Sequence, residues 1–336
     1  MTTRVAINGF GRIGRLVLRA LFESGRKDVE IVAINDLAPA ATNAHLLKYD
    51  SVHGRFGGTV EADGNDLIIN GQRVKGLQIA DPTKLGWGEM GIDVAMECSG
   101  RFTKRADASK HLEAGAKKVL ISAPSTDEDI MVVYGVNHNE LKASHQIVSN
   151  ASCTTNCLAP VAYVLNNAVG IEHGFMTTIH SYTGDQRVVD TMHSDLHRAR
   201  AAAINMIPTS TGAAKAVGKV LPALKGKLAG TAIRVPTPNV SVIDFKFVAK
   251  RPTTADEINK AISAAAAAGP LKGILGAYTE PLVSTDFNHD TRSSIFALNE
   301  TRVMEGTFVR ILSWYDNEWG FSNRMSDTAH AMMQAK

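Results

Sequence analysis

The stretch V-A-I-N-G-F-G-R-I-G-R, residues 5–15, joins an apolar run to a helical pattern through Gly9, Gly11 and Gly14. Glycine-rich turns are common, but this one follows a strand-like run and opens a helix, which is the context that a dinucleotide-binding loop requires. There the first glycine makes the turn, the second lets backbone N–H groups approach a pyrophosphate, and the third allows close packing of helix and strand. The positive end of the helix dipole faces the phosphates. The stretch therefore predicts a dinucleotide site, against the alternative of a tight turn without a ligand.

A carboxylate follows the next strand-like run. Asp36 comes directly after E-I-V-A-I-N, residues 30–35. Such a side chain can accept hydrogen bonds from the hydroxyls of an adenosine ribose and repels a 2′-phosphate, so the sequence favours NAD over NADP. The alternative interpretation is a solvated loop aspartate.

The first half of the chain alternates apolar runs with amphipathic stretches. Beyond the two runs already named, others occur at 93–97, at 118–122 and near 147. Continuous apolar strands with helices between them are typical of a parallel sheet covered on both faces. We therefore expect residues 1–150 to form a doubly wound, Rossmann-type α/β nucleotide domain.

The pattern changes after residue 150. The runs 231–236 and 240–248 alternate apolar and polar residues, which favours an antiparallel or mixed sheet with helices on one face. Residues 151–316 are expected to form an α+β catalytic domain with a mostly antiparallel mixed sheet. Residues 181–207 are predicted to be a long, arginine-rich loop, and loops of that length inside a compact domain are usually functional.

Composition narrows the class of protein. The 336 residues are 44% apolar, with 36 basic and 33 acidic side chains and a net charge of +3. That balance argues against nucleic-acid binding as the main role, which needs a clustered basic excess. No uncharged apolar stretch approaches a membrane span, and the first residues lack a signal-peptide pattern. With only three cysteines, a reducing compartment and a cytoplasmic location are expected.

Two of these cysteines lie four residues apart in S-N-A-S-C-T-T-N-C, residues 149–157. A reducing compartment argues against a disulfide, and no further ligand pair completes a structural zinc site, so no metal is expected. Burial as an apolar residue suits Cys157 and Cys98. Cys153, in contrast, lies in the first turn of a helix predicted to reach about residue 167, where the helix dipole stabilises a thiolate. Backbone N–H groups there can bind an oxyanion.

A nucleophilic cysteine needs a base or an ion-pair partner. His180 ends the run F-M-T-T-I-H, residues 175–180, just before the polar S-Y-T-G-D-Q. The alternative is a strand-end histidine with a structural role, and the two interpretations are about equally supported. A dinucleotide fold with an activated cysteine predicts oxidation of an aldehyde: a thiohemiacetal forms, hydride passes to nicotinamide, and an acceptor cleaves the resulting thioester.

Six blocks of sequence then resemble one family, the phosphorylating, NAD-dependent glyceraldehyde-3-phosphate dehydrogenases of bacterial type. They are A-I-N-G-F-G-R-I-G-R, Y-D-S-V-H-G-R-F, S-N-A-S-C-T-T-N-C-L-A-P, I-P-T-S-T-G-A-A-K-A-V, R-V-P-T-P-N-V-S-V and W-Y-D-N-E-W-G. The resemblance covers essentially the whole chain. The cysteine block and P-T-S-T-G-A-A-K are highly specific, whereas the glycine loop alone is not.

The resemblance implies a role for each matching position. Cys153 matches the nucleophile and His180 the group that activates it. The positions that contact the cofactor are Arg12, Ile13, Asp36, Ser122 and Asn317. The positions that bind the phosphate of glyceraldehyde 3-phosphate and the attacking inorganic phosphate are Ser152, Thr154, Thr183, Arg198, Thr211, Gly212 and Arg234. The family forms homotetramers in which the 181–207 loop lines a neighbour's cofactor groove, and its C-terminal helix, here 317–336, completes the nucleotide domain.

The residues alone leave some of these roles open. Arg198 and Arg200 both occur in L-H-R-A-R, either of which could be a solvated helix position. Thr211 and Gly212 could simply cap a helix, or cap it and bind an anion together. Asn317 could be only a turn residue. The chain also departs from common family residues at three places: Phe321 for tyrosine, Ala80 for a basic residue, and Thr191-Met192 for Leu-Pro. The last weakens the preference for NAD that Asp36 supports.

Two other functions are less consistent with the sequence. An erythrose-4-phosphate dehydrogenase hydrolyses its thioester with water and lacks the P-T-S-T-G-A-A-K and T-G-D-Q runs that this chain has. A binding role on RNA or partner proteins through the nucleotide groove is disfavoured by the near-neutral charge.

Overall fold

A computed structural model describes residues 2–336 and divides the chain into two compact units. One unit runs to Ser152 and also contains Ser322–Lys336; the other is Cys153–Phe321. No helix in the described residues is long and apolar enough to cross a membrane.

The first unit alternates strands and helices over most of its length. Its elements are β1 Thr3–Asn8, α1 Arg12–Ser24, β2 Val29–Asn35, α2 Ala40–Lys48, β3 Tyr49–Asp50, β4 Gly54–Arg55, β5 Val60–Asp63, β6 Asp66–Ile69, β7 Gln72–Leu77, β8 Val94–Glu97, α3 Arg105–Glu113, β9 Lys118–Ile121, β10 Ile130–Met131 and β11 Ile147–Ser149.

Nine of these strands form one sheet in the order β10-β11-β9-β8-β1-β2-β7-β6-β5. The pairs from β10 to β7 are parallel, and every residue of β8 and β9 is buried, as a sheet covered on both faces requires. This confirms the doubly wound α/β fold. The strand order reverses between β1 and β8, and ligands of such folds bind beside the carboxyl ends of the strands at that point.

The sheet is extended at one edge by the antiparallel strands β5 to β7, which the sequence patterns did not predict. β5 pairs with β6, and β6 with β7, both antiparallel. Each strand has only four to six residues, too few to give a clear periodic pattern. Turns at Gly64 and Gly71, which both have positive φ, were the available signal.

The second unit carries the other sheet. Its elements are α4 Cys153–Ala168, β12 Ile171–Ser181, β13 Ile207–Ser210, α5 Ala213–Val220, β14 Leu228–Val235, β15 Ser241–Ala249, α6 Ala255–Ala267, β16 Leu275–Tyr278, β17 Ser294–Ala297, β18 Arg302–Met304, β19 Phe308–Tyr315 and the start of α7 Trp319–Gln334.

The order of this eight-stranded sheet is β13-β14-β12-β15-β19-β17-β16, with β18 paired to β19. Only β12–β14 and β16–β17 are parallel, which confirms a mixed, mostly antiparallel sheet. β15 and β19 alternate buried and half-buried residues because helices cover one face. Residues 182–206, between β12 and β13, contain no strand or α-helix, only a short 3₁₀ turn at Ala202–Ile204.

Candidate active site

The second unit places Cys153 and His180 side by side. Cys153 is the first residue of α4, and His180 is the next-to-last residue of β12. The Cys153 Sγ lies 3.4 Å from the His180 Nε2, within hydrogen-bonding distance for sulfur. His180 is buried, whereas Cys153 is only partly buried. A thiol at a helix start therefore faces a nitrogen held inside the unit.

The other ring nitrogen of His180 has two neighbours within hydrogen-bonding distance. Its Nδ1 lies 2.7 Å from the carbonyl oxygen of Ser181, which can only accept. The same carbonyl accepts from Arg234 Nη1 at 2.9 Å, and that Nη1 is 3.0 Å from the His180 Nδ1. The Ser181 carbonyl favours a proton on Nδ1, whereas the Arg234 Nη1, which can only donate, favours a lone pair there. A proton on Nδ1 leaves the Nε2 that faces Cys153 able to accept the thiol proton.

Burial and charge act on both groups. Burial, followed by the Arg234 charge, lowers the pKa of His180 to about 3, so the imidazole is neutral at physiological pH. Burial raises the pKa of the Cys153 thiol, while the Arg234 charge and hydrogen bonds from Thr154 lower it; burial is the larger effect in the chain without a ligand. The Arg234 charge and the hydrogen bonds from Thr154 thus lower the pKa of the Cys153 thiol by less than burial raises it. The resting pair is a thiol beside a neutral base.

Cys157 is packed differently although it is one turn away. It is fully buried, with its Sγ 3.4 Å from the Ser294 Oγ. Burial raises the pKa of the Cys157 thiol to about 12. It faces the β17–β19 side of the core, as a packing residue does. No disulfide forms between the cysteines.

Arg234 is the cation nearest to this pair. It is partly buried on β14, and its Nη1 also reaches the Thr183 Oγ1 at 3.5 Å. No carboxylate in residues 2–336 lies within ion-pair distance of it, and its Nε has no hydrogen-bond partner there. A partly buried cation without a counter-ion favours an anionic ligand.

Arg198 is distinguished from Arg200 by its surroundings. Its Nη1 donates to Asp185 at 2.6 Å and its Nε to the Thr209 Oγ1 at 3.0 Å, and 21% of its side chain is exposed. Arg200 is 63% exposed and pairs with the exposed Asp190. The structure therefore orders Arg198 on the body of the unit and leaves Arg200 at the surface.

The remaining anion-binding candidates lie at two helix starts. Gly212 is the N-cap of α5, and the Thr211 Oγ1 accepts a hydrogen bond from the Ala213 N–H at 3.2 Å. Thr211 therefore caps the helix, which leaves other N–H groups of its first turn available to an anion. Ser152 precedes α4, and Thr154 lies in its first turn.

Tyr315, at the end of β19, contacts the site although the sequence patterns did not predict a role for it. Its hydroxyl lies 2.9 Å from the Thr154 Oγ1 and 2.8 Å from the Thr178 Oγ1. Its ring meets that of His180 edge to face at 5.9 Å. The available signal was that Tyr315 occupies an inward position of an alternating strand. The Tyr315 hydroxyl therefore links the start of α4 to β12, the strand that carries His180.

The glycine loop of the first unit has the geometry that a dinucleotide needs. Gly9 has φ +91°, and a Cβ there would lie 2.4 Å from the Ser99 nitrogen. A Cβ on Gly14 would lie 2.1 Å from the Gly9 oxygen, whereas one on Gly11 would meet nothing within 4 Å. The first and third glycines are required by packing, and the middle one leaves open space where a pyrophosphate can approach.

Two backbone N–H groups orient the Asp36 carboxylate beside this loop. Its Oδ2 accepts from the Phe10 N–H at 2.7 Å and its Oδ1 from the Ala38 N–H at 2.9 Å. Each oxygen keeps a lone pair for a ribose hydroxyl. The Arg12 Nη1 donates to Asp50 at 2.6 Å, which orients that side chain at the helix start. These residues fit an adenosine diphosphate moiety such as that of NAD.

The other cofactor candidates are distributed over both units. Ile13 lies half-buried on α1. Ser122 follows β9, and its N–H donates to the Glu97 carbonyl at 3.0 Å. Asn317 belongs to the second unit, where its Oδ1 accepts from the Ser241 Oγ at 2.8 Å.

A dinucleotide fold followed by a second unit with a cysteine–histidine pair is typical of one class of protein, the NAD-dependent dehydrogenases. Comparison with known proteins agrees. The family model described as the glyceraldehyde 3-phosphate dehydrogenase NAD binding domain matches residues 3–105, and that of the C-terminal domain matches residues 152–317.

Relatives of known name are similar over nearly the whole chain. The chain is 66% identical to a glyceraldehyde-3-phosphate dehydrogenase of Xanthobacter flavus and 64% identical to one of Cereibacter sphaeroides, each over 332 residues and 99% of both chains. It is 57% identical to glyceraldehyde-3-phosphate dehydrogenase 1 of Bacillus subtilis over 98% of both chains. The chain belongs to the glyceraldehyde-3-phosphate dehydrogenase family. The family predicted from the sequence blocks is confirmed.

Proposed function

We propose that this chain oxidises D-glyceraldehyde 3-phosphate with NAD and inorganic phosphate to 1,3-bisphosphoglycerate, as a step of glycolysis. The observation that carries the proposal is the distance of 3.4 Å between the Cys153 Sγ and the His180 Nε2, in a chain with an NAD-binding domain. The first unit binds the cofactor, and the second carries the thiol chemistry.

His180 acts first as a general base. Its Nε2 takes the thiol proton as the Cys153 sulfur attacks the aldehyde carbon, and a carbon–sulfur bond forms. Backbone N–H groups at the start of α4 stabilise the oxygen that becomes negative. Transfer of the proton from His180 to that oxygen completes the thiohemiacetal and restores the neutral base.

Oxidation and release complete the reaction. When bound, NAD supplies the hydride acceptor. His180 removes the hydroxyl proton as the carbon–oxygen double bond re-forms, which leaves a thioester on Cys153. An oxygen of inorganic phosphate then attacks the thioester carbon, the carbon–sulfur bond breaks, and His180 returns its proton to the thiolate.

Two anions must be bound for this sequence, the phosphate of the substrate and the attacking phosphate. We assign them to Arg234, Arg198 and the hydroxyl and N–H groups around them, which are Ser152, Thr154, Thr183, Thr211 and Gly212. Arginine supplies paired, permanently charged donors that match phosphate oxygens. Arg234 without a counter-ion in the described residues supports this assignment.

A steady-state assay tests the proposal. The rate of NADH formation is measured with glyceraldehyde 3-phosphate and with erythrose 4-phosphate, with and without phosphate or arsenate, using NAD and NADP. We expect rapid turnover only with glyceraldehyde 3-phosphate, NAD and one of the two oxyanions. Equal rates without an oxyanion would contradict the proposed reaction and favour hydrolysis of the thioester.

We also propose that the enzyme is a homotetramer in the cytoplasm. A groove of about 800 Å³ on the second unit is lined largely by apolar groups, including Phe175, Met304 and Phe308, which are all exposed. The 182–206 loop exposes further apolar side chains, such as Met192 at 89%. Surfaces of this kind are buried in assemblies. The three free cysteines are typical of a protein from a reducing compartment, which supports the cytoplasmic location. Light scattering on the purified protein checks the assembly.

A further inference from the structure

A hydrogen-bonded network of buried polar side chains lies in the first unit, next to the strand ends that lead into the glycine loop. It runs from Trp87 through His111 and Glu97 to Asn8 and Asn35, and none of these residues is more than 4% exposed. None of them is among the residues assigned to NAD, substrate or phosphate above. Buried polar groups are costly unless their hydrogen bonds are complete, so a connected set of this size calls for a function.

The hydrogen bonds fix the protonation states at the centre of the network. The Trp87 Nε1 can only donate, and it lies 3.1 Å from the His111 Nδ1. His111 therefore carries its proton on Nε2, which donates to the Glu97 Oε2 at 2.9 Å. The imidazole is neutral because a second proton would face the indole N–H.

Glu97 receives donors on both oxygens. The Oε2 also accepts from the Asn8 Nδ2 at 2.6 Å, and the Oε1 accepts from the Ser99 N–H at 2.7 Å and from the Ser99 hydroxyl. All four of these groups can donate, and three of them can only donate in this arrangement, so the contacts favour the ionised form of the carboxyl group. We assign Glu97 as a buried carboxylate that is held by neutral donors, with no Lys or Arg in ion-pair contact.

The network extends from Asn8 on β1 to Asn35 on β2. The Asn35 Nδ2 donates to the Asn8 Oδ1 at 2.7 Å, and the Asn35 Oδ1 accepts from the Ile79 N–H at 2.9 Å. Asn8, Asn35 and Glu97 are the last residues of β1, β2 and β8. The carboxylate thus ties together the carboxyl ends of three neighbouring strands at the point where the strand order reverses.

Two of the tied residues are followed directly by residues that we assign to the cofactor, and the third is followed closely by Ser99, which packs against Gly9. Gly9 follows Asn8, Asp36 follows Asn35, and Ser99 lies two residues after Glu97. The packing is tight, because a Cβ on Gly9 would clash with the Ser99 backbone. Asp36 is itself bonded to the Phe10 N–H of the glycine loop. A shift of any one strand end would move the glycine loop relative to the ribose-binding carboxylate.

We propose that Glu97 is a positioning residue for NAD: its buried charge holds the ends of β1, β2 and β8 in the arrangement that the pyrophosphate and ribose require. Hydrogen bonds to an ionised acceptor are about twice as strong as neutral ones, and the dry surroundings strengthen them further. The network is complete before the cofactor binds. The cost of ordering the site is therefore met during folding instead of during binding.

The test is the substitution Glu97→Gln, which keeps the shape and removes the charge. The amide places a donor against the donors of Ser99 or of Asn8 and His111. We expect the Kd for NAD, measured by titration calorimetry without aldehyde, to rise about tenfold, in line with the loss of a buried, charge-assisted bond. The result does not depend on the proposed substrate, because no aldehyde is present.

A purely structural role would lower stability without this binding effect. The KM for NAD should rise while kcat at saturating NAD stays within about twofold of the wild type, since no reacting atom is touched. The rate of Cys153 alkylation without NAD should be unchanged. A folded Glu97→Gln protein with a wild-type Kd for NAD would overturn the proposal.

A second variant keeps the proposal testable if Glu97→Gln does not fold. Trp87→Phe removes the indole donor that fixes the tautomer of His111, together with part of a buried ring, and we expect NAD binding to weaken about threefold. The control is Trp314→Phe, which removes an indole hydrogen bond of 2.7 Å to the Tyr278 hydroxyl from a partly buried position in the second unit. Equal NAD affinity of the two tryptophan variants would refute the role of the network.

Discussion

The hydroxyl of Tyr315 lies 2.9 Å from the Oγ1 of Thr154, the residue directly after the nucleophile. Burial raises the pKa of Tyr315 well above its ordinary value, so the hydroxyl keeps its proton. Thr178 donates to the Val242 carbonyl and therefore accepts from Tyr315. One phenol thus links the start of α4, β12 and β19, whose residues are far apart in the sequence.

Tyr315→Phe should destabilise this arrangement without removing a reacting group. We expect the free energy of unfolding of the protein to fall by about 1–2 kcal/mol, because two buried hydroxyls lose a partner. Denaturant unfolding measures the change. Tyr163→Phe, on the helix α4 that also carries Thr154, is the control. The Tyr163 hydroxyl has no hydrogen-bond partner in residues 2–336. Equal effects of the two substitutions would show that the link contributes nothing.

The two neighbouring cysteines should differ in their contribution to the rate. Cys153→Ser should lower kcat by roughly a thousandfold or more, because a serine hydroxyl beside a weakly basic imidazole is a poor nucleophile. Cys157→Ser should retain most activity, since Cys157 is buried among Ser294 and the β19 backbone. Steady-state kinetics of both variants decide the assignment, and the reverse order of effects would transfer it to Cys157.

Local patterns predicted the parts of the fold and site that depend on neighbouring residues. The glycine loop, Asp36 after β2 and Cys153 at a helix start all follow from short stretches whose conformation their own residues dictate. The same holds for the parallel and mixed sheets, because continuous and alternating apolar runs report burial directly.

Long-range contacts could not be predicted in this way. Tyr315 meets Thr154 across 161 residues, and Glu97 meets Asn8 across 89. Nothing within the local sequence of Glu97 indicates a buried carboxylate, since its strand is otherwise apolar and charged residues usually lie outside. The preference for Arg198 over Arg200 likewise depends on Asp185 and Thr209, which only the fold brings near.

Arg198 and Arg200 provide a matched pair for the anion assignment. Arg198→Leu should raise the KM for inorganic phosphate by roughly tenfold to a hundredfold, because charge-assisted bonds to the anion are lost. Arg200→Leu removes the same charge from an exposed position paired with Asp190 and should change that KM by less than about twofold. Phosphate titrations at saturating aldehyde and NAD measure both. Similar KM values for the two variants would refute the choice of Arg198.

Asp36 should set the preference for NAD. Asp36→Ala removes the carboxylate that repels a 2′-phosphate and bonds the ribose, so the ratio of kcat/KM for NAD over NADP should fall by roughly tenfold. Asp63→Ala, at an exposed carboxylate paired with Arg73 in the same unit, is the control and should leave the ratio unchanged. An unaltered ratio in Asp36→Ala would mean that another residue discriminates, and the Thr191-Met192 pair would be the next to test.

The charge of Arg234 should be visible in the pH dependence of the thiol. The positive guanidinium lowers the pKa of both Cys153 and His180, because it favours the thiolate and disfavours the imidazolium. Arg234→Gln should therefore raise both. The rate of Cys153 alkylation by iodoacetamide, an uncharged reagent, follows the thiolate and increases with pH. In the variant its midpoint should move upward by about one pH unit, the lower end of the range for a charge at this distance. Cys157 is too deeply buried to react, and Cys157→Ser in both backgrounds removes it from the signal. A midpoint that stays in place, or moves downward, would show that Arg234 does not act on the thiol.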